Sequence, residues 1–527
     1  MNKVNILWAD DEIDLLKPHI LFLKEKGYEV KTAKSGDEAV GMIKTEPFDI
    51  VFLDEQMPGL SGLETLTRIK NHQSDLPVVM ITKSEAEQIM EDAIGSKISD
   101  YLIKPVNPNQ ILLSLKKILE GKHLVSEKTT LNYQQEFRQI GMSLSDNLNA
   151  ETWKDVYRKL VYWELELEKS DDESMSEMLS MQKQEANSAF SKFIDANYLA
   201  WLQGKNNPPL QSHTILRSKL APLLEKKEPI FLVVIDNLRY DQWKTIQPKI
   251  SELFKVEDES LYYSILPSVT QFARNALFAG LLPSEIEKLR PDLWRNEEDE
   301  GSKNQFEAEF MASQLKRWGK FAQANPSSGG EVIKNSYHKI LNHNEGKKLA
   351  DNISNLMQNK LNVIVYNFVD MLSHARTEME VIRELADDES AYRSLTLSWF
   401  EHSPLHDILK QIASKKGFLV ITTDHGSIRV SEPSKVVGDR TTTTNLRYKQ
   451  GKSLSYEKRD VLEVRNPEQA FLPRINVSTT YIFAKADKFF AYPNNYNHYV
   501  HYYRNTFQHG GISLEEMIIP FVTLSAK

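Results

Sequence analysis

No cysteine occurs in the 527 residues. Disulfides, thiolate nucleophiles and cysteine-type zinc sites are therefore excluded, and any metal must be held by imidazole, carboxylate or hydroxyl groups. Long apolar runs are missing too. No stretch approaches the ~20 apolar residues that a membrane-spanning helix needs, and the first residues lead into a strand in place of a signal peptide. The expectation is a cytoplasmic chain without membrane insertion. Nor is there a surplus of positive charge: 65 Lys and Arg against 73 Asp and Glu leave a net charge of −8, which argues against a footprint for duplex DNA. What is present is globular composition, 41% hydrophobic and 26% charged, on a chain too long for one core.

In the N-terminal part, short apolar strands deliver polar groups straight into turns. Val4–Ala9 ends in Asp10 and Asp11, Ile50–Leu53 in Asp54 (IVFLDEQMPGLSG), Pro77–Ile81 in Thr82, and Asp100–Ile103 in Lys104-Pro105. In an open parallel α/β sheet the carboxyl ends of the strands form the ligand crevice, so carboxylates, a hydroxyl and an ammonium converge there. A carboxylate can attack phosphorus only where the negative charge is neutralised, which Mg²⁺ on clustered Asp and a nearby Lys would do. These residues resemble a response-regulator receiver domain. The resemblance implies that Asp54 accepts a phosphoryl group from a cognate sensor histidine kinase, that Asp10 and Asp11 help hold magnesium, that Thr82 and Lys104 contact phosphoryl oxygens, and that Tyr101 is the switch aromatic. Lys83, where the family usually has a small residue, adds a charge beside the site.

From about Glu127 to Leu202 Gly and Pro are nearly absent. Trp153, Tyr157, Leu160 and Val161 recur at i, i+4, i+7 and i+8 on one helical face, and Ser170-Asp171-Asp172-Glu173 supplies a cap for a following helix that carries Met175, Met178, Leu179 and Phe190. This predicts a helical bundle, ended by Asn206–Pro209 (NNPP). Strands then return at Ile230–Ile235, Asn362–Phe368, Phe418–Thr422 and Thr480–Phe483, separated by helical stretches, which points to a second, larger α/β domain. Between Pro283 and Gly330 the composition turns polar, as expected of an inserted cap.

The larger domain repeats the logic of the first. Strands run into Asp236, into Asp370 with His374 four residues on, and into Asp424-His425; His509 lies in QHGGISLEEMIIP, where two glycines let a backbone pass close to a ligand. Three Asp and three His suit two zinc ions, each with an open position. Thr270, after Pro267 at a helix start in LPSVTQFAR, offers a hydroxyl near the positive end of the helix dipole. Asn237 and Arg440 are candidates for substrate contact. His498 and His501, in YNHYVHYY, read as packed or surface imidazoles.

In their order along the chain these residues resemble the alkaline phosphatase superfamily, in particular its PglZ branch. The resemblance implies Thr270 as nucleophile, with Asp370, His374 and His509 on one metal and Asp236, Asp424, His425 and the Thr270 oxygen on the other. Taken whole, the chain resembles the PorX-type response regulators associated with type IX secretion in Bacteroidota. The expected architecture is α/β: a flavodoxin-like receiver over residues 1–120, an all-α helical-bundle linker over 121–207, and an alkaline-phosphatase-like α/β domain over 208–527 with an inserted cap around 283–360. The expected function is that of a regulator phosphorylated on Asp54, homodimeric when phosphorylated, whose output is a zinc-dependent phosphodiesterase acting on nucleotides or signalling oligonucleotides. The alternative is a zinc-stabilised binding module that contacts a sigma factor or a secretion component.

Overall fold

The computed structural model describes residues 4–73, 76–83, 98–146, 148–169, 173–297, 299–321, 333–378, 388–439 and 442–527. They fall into two compact units, Met1–Asn132 with Lys169–Asp172, and Tyr133–Glu168 with Glu173–Lys527.

The first unit is a five-stranded parallel sheet of β1 (Asn5–Ala9), β2 (Glu29–Ala33), β3 (Ile50–Asp54), β4 (Val78–Thr82) and β5 (Asp100–Ile103), in the spatial order β2-β1-β3-β4-β5. Every residue of β3 and β4 is buried, as continuous apolar runs require in a sheet covered on both faces. Leu7, Val51, Leu53, Val78 and Met80 build a core on one side, and Ile6, Trp8, Phe52, Val79 and Ile81 a core on the other. Gly62 is required where the helix Gly62–His72 leaves the β3 loop. A Cβ there would sit 2.5 Å from the Asp54 carbonyl oxygen.

The second unit is built on a six-stranded sheet. Its parallel strands are β6 (Ile230–Ile235), β8 (Asn335–Ile340), β9 (Leu361–Tyr366) and β10 (Phe418–Thr422); β7 (Phe254–Tyr263) and the C-terminal strand Ile518–Ala526 complete it. The order is β7, C-terminal strand, β10, β6, β9, β8. The C-terminal strand is antiparallel to both its neighbours. Thr480–Ala484, expected among the strands of this domain, pairs outside the main sheet with Tyr448–Gly451 and Val461–Val464.

One expectation is corrected here. The segment 283–360 is not one inserted cap: Pro283–Leu289 and Glu307–Phe321 are helices over the helix Thr270–Ala279, whereas Asn335–Ile340 is the parallel edge strand of the main sheet. An edge strand faces water along one side and so carries the polar composition NSYHKI that hid it in the sequence. The helical linker packs into the larger unit: its helices Ala150–Glu168 and Glu173–Leu202 share that unit's core. Phe190 packs edge-on to Trp153 (5.3 Å between centroids) and stacks on Tyr263 of β7 (6.3 Å). Tyr198 accepts a hydrogen bond from the Leu266 N–H (2.7 Å), and Asn187 binds Glu515 through its side-chain amide (3.0 Å) and the Leu514 N–H through its carbonyl (2.8 Å). No helix among the described residues is long and apolar enough to cross a membrane.

Because these helices and the sheet share one core, they are expected to melt together. Phe190→Ala removes a fully buried ring, a change that costs about 3–5 kcal/mol. In scanning calorimetry of the full chain it should lower the large unit's transition, with helix and sheet signals still lost in one step. A helical transition that separated from that of the sheet would mean that the helices are only a spacer.

Candidate functional site

In the first unit, parallel pairing brings the ends of β1, β3, β4 and β5 to one edge. Asp10 is fully buried, and Asp54 is nearly so. Lys104 Nζ lies 2.8 Å from Asp10 Oδ2 and 2.9 Å from Asp54 Oδ1. Asp10, the exposed Asp11 and Asp54 each place a carboxylate oxygen within 4.8 Å of the others. Burial raises the Asp54 carboxyl above its ordinary range, against the pull of Lys104, with Asp10 and Asp11 adding to the rise. Burial opposes the charge of Lys104, yet the hydrogen bonds to Asp10 and Asp54 outweigh it and raise its pKa. Three clustered oxygen ligands with one open to solvent suit a hydrated Mg²⁺. Thr82 Oγ1 donates to Glu55, and Lys83 pairs with Glu12 (3.3 Å). Tyr101 is half-buried and packs against the Leu7–Leu53 core.

In the second unit the same physics recurs on a different sheet. Asp236 follows β6, the helix Phe368–Glu378 that carries Asp370 follows β9, and Asp424 and His425 follow β10. Asp236, Asp424 and His425 are buried, and each offers a ligand atom within 4.8 Å of the others. Asp424 Oδ2 is buried with no hydrogen-bond partner, an orphaned acceptor that a cation would satisfy. Burial pushes His425 down to about 4, so its ring is neutral. In the tautomer that donates from Nδ1 to the Gly426 carbonyl (3.1 Å), Nε2 keeps its lone pair toward Thr270. Asp236 is raised well above the carboxylate range, first by burial and then by Asp424 and Asp370, against the pull of Arg274. The donor set thus fits a divalent cation, which would relieve both the burial and the repulsion.

Thr270 opens the helix Thr270–Ala279. Its Oγ1 lies 3.2 Å from His425 Nε2 and 3.4 Å from Asp236 Oδ1. Asn304 Nδ2 holds the Thr270 carbonyl (2.8 Å). The preceding loop is pinned by Ser268, whose hydroxyl donates to the Gly511 carbonyl (3.0 Å) and accepts from the Gly510 N–H (3.1 Å). Gly510 has φ +122°, and a Cβ on it would lie 2.9 Å from the Tyr448 ring. The two glycines therefore carry His509 past the loop at close range. His509 stacks on His425 with ring centroids 4.3 Å apart, and its Nε2 lies 3.4 Å from Asp370 Oδ1. Burial opposes the charge of His509, but the hydrogen bond and charge of Asp370 prevail and raise its pKa. Asn237, at φ +63°, turns its amide toward Asp370 Oδ1 (3.4 Å) and Ser373 Oγ (3.3 Å).

His374 lies on the same helix as Asp370, with its side chain outside the described residues, as does the whole of Arg440. His498 and His501 are exposed on the helix Tyr496–Tyr503. Two residues that matter were missed. Arg274, fully buried one helical turn after Thr270, lies 2.7 Å from Asp236 Oδ2 and 2.6 Å from Glu307 Oε1. An arginine four residues beyond a candidate nucleophile, one turn on along the same helix (TQFARNALFA), was the available signal. Glu307 had none, because it reaches the site from a separate helix.

Three family models cover the chain in succession. Residues 6–116 match the response regulator receiver domain, 123–202 the PorX response regulator linker domain, and 215–524 the BREX system PglZ alkaline phosphatase-like domain. The alginate biosynthesis transcriptional regulatory protein AlgB of Pseudomonas putida is 34% identical over 123 residues, 23% of this chain and 28% of that protein. The transcriptional regulatory protein ResD of Bacillus subtilis is 29% identical over 118 residues, 22% of this chain and 49% of that protein. The chain thus spans less than half the length of either relative. Among solved structures, a CheY-like receiver domain protein from Methanospirillum hungatei is 26% identical (TM-score 0.22; 23% of this chain, 96% of that one), and a two-component response regulator from Clostridium difficile is 30% identical (TM-score 0.22; 22% and 97%). With its PglZ model covering more than half of its length, the chain belongs to the PglZ alkaline phosphatase-like family, in the PorX-type order of receiver domain, linker domain and PglZ domain.

Proposed function

We propose that this response regulator is phosphorylated on Asp54 by a cognate sensor histidine kinase, with magnesium held by Asp10, Asp11 and Asp54, and that its output is a zinc-dependent phosphohydrolase. The observation that carries the reading is the placement of Thr270 Oγ1 at 3.2 Å from His425 and 3.4 Å from Asp236, beside the orphaned Asp424 oxygen. Asp236, Asp424 and His425 would hold one zinc ion; Asp370, His374 and His509 are assigned to the second. Bound zinc supplies Lewis-acid charge for the attacking and leaving oxygens of an in-line displacement.

The residues of the chain do the rest. Thr270 gives its proton to solvent and attacks phosphorus; the Oγ1–P bond forms as the bond to the ester oxygen breaks and that oxygen takes a proton from solvent, and water, giving up a proton, then attacks phosphorus, breaks the Oγ1–P bond and returns Thr270 to its hydroxyl form. Asn304 and Ser268 fix the start of the Thr270 helix, so the hydroxyl is oriented before substrate arrives. A phosphodiester is favoured over a monoester, as a nucleotide or short signalling oligonucleotide, because the net charge of −8 argues against duplex DNA as the target of the output. Control of type IX secretion, and homodimer formation on phosphorylation, are what the PorX-type organisation implies for this reading.

In the receiver, Asp54→Ala should abolish labelling by acetyl phosphate. Undiminished acid-labile phosphorylation of the variant moves the acceptor elsewhere.

Thr270→Ala should leave zinc content largely intact and remove most hydrolysis of a phosphodiester, a loss of about 10²-fold or more, whereas Asp424→Ala should lose metal and activity together. Full turnover by metal-replete Thr270→Ala would reject the covalent route, and absence of hydrolysis by the zinc-loaded wild type across mono- and diesters would reject the enzyme.

A further inference from the structure

On the short strand Tyr448–Gly451 a lysine has been withdrawn from water without receiving a counter-charge. Tyr448 meets Phe272, on the helix that opens with Thr270, edge-on at 6.1 Å between centroids. Lys449, the next residue, faces the other side of the strand and is only 1% exposed. Its Nζ donates to the Thr443 carbonyl (2.8 Å) and lies 4.7 Å from the centroid of the Tyr492 ring. No carboxylate pairs with it among the described residues. An ammonium has three donors, so a carbonyl and a ring face leave part of its capacity unspent. Burial alone lowers Lys449 to about 7.

Lys449 lines a cavity of about 390 Å³ together with Thr444, Leu446, Tyr492, Asn495 and Tyr499, within the range of small-molecule sites. The titratable groups around it are the phenols of Tyr492, Tyr499 and Tyr503, with Asp439 acting on Tyr492. Tyr499, on the helix Tyr496–Tyr503, leaves 38% of its surface exposed. Tyrosine faces accept a planar ring, amides read its edge, and a buried unbalanced ammonium takes an anion. The wall of the cavity also leads to the reaction centre. Thr444 is followed by Asn445, whose Oδ1 lies 3.0 Å from where a Cβ on Gly510 would sit, beside His509.

We propose that this cavity is a nucleotide subsite, in which a base lies against the tyrosine rings and a phosphate group meets Lys449 Nζ. Resting on the phosphodiesterase reading, it would hold the neighbouring nucleotide of an oligonucleotide whose scissile phosphate lies at Thr270. The Tyr-rich stretch around His498 and His501 then has a role that its imidazoles do not carry.

The test is calorimetric titration of the zinc-loaded full chain with 5′-AMP and with ribose 5-phosphate, at pH 7.5 in buffers of different ionisation enthalpy. An arriving phosphate raises the Lys449 pKa, so AMP binding should take up a fraction of a proton and should weaken as pH rises through the neutral range. Lys449→Met should weaken AMP by about tenfold or more and remove the uptake; Lys449→Arg should bind without uptake. Tyr499→Leu, an exposed change that spares the fold, should weaken AMP more than ribose 5-phosphate. Unchanged AMP affinity and proton uptake in Lys449→Met, or equal losses for both ligands in Tyr499→Leu, overturn the subsite. AMP binding that depends on Lys449 in a protein that hydrolyses no diester would uphold the subsite and reject the phosphodiesterase reading instead. Hydrolysis of an oligonucleotide with no dependence on Lys449 would do the reverse.

Discussion

A carboxylate withdrawn from water needs a positive charge close by, and the larger unit sets three of them around one guanidinium. Arg274 lies against Asp236 and Glu307 at hydrogen-bond distance and 3.9 Å from Asp424. Removing one partner from such a buried set costs about 3–5 kcal/mol, because it strands the others. The arginine bonds only two of the three, however. It faces Asp236 Oδ2, while Asp236 Oδ1 points to Thr270 and Asp424 Oδ2 has no hydrogen-bond partner. The guanidinium thus offsets Asp236 and Glu307 by direct contact and Asp424 only through space.

The receiver solves the same problem with fewer parts. Lys104 spans Asp10 and Asp54 at nearly equal distance, and Asp11 stays exposed beside them. Its ammonium balances the buried carboxylates. In both units the groups stand at the carboxyl ends of parallel strands, where backbone pairing is finished and side chains from distant segments can meet.

The linker helices reach the larger site through packing. Asn187 holds Leu514 and Glu515, and the Glu515 carbonyl lies so close to Gly426 that a Cβ there would be 2.0 Å away. Gly426 follows the Asp424-His425 pair directly. Glu516 accepts from the Gly511 N–H (2.9 Å) and pairs with the buried Arg447, which steadies the turn that carries His509. Two short segments, 424–426 and 509–516, thus connect the helical layer with Asp424, His425 and His509 by steric contact and hydrogen bonds.

The sequence by itself determined the elements in which chemistry sits at the end of an apolar run. β1, β3, β4 and β6 read directly, and so did Asp54, Asp236 and the Asp424-His425 pair, because continuous burial imposes an unbroken apolar pattern and the polar residue that ends it stands out. The helical face of Trp153, Tyr157, Leu160 and Val161 was legible for the same reason of period. Tertiary structure alone decided what each element packs against. Periodicity reports that a face is buried without naming its partner, so the helices read as a bundle, and the structure adds that their core continues into that of the sheet. It decided the place of β8, whose polar edge reads as loop, and of Arg274 and Glu307, whose charges oppose burial until each meets the other. It decided the surroundings of Lys449 as well, since a lysine in a strand reads as solvated until neighbouring segments close over it.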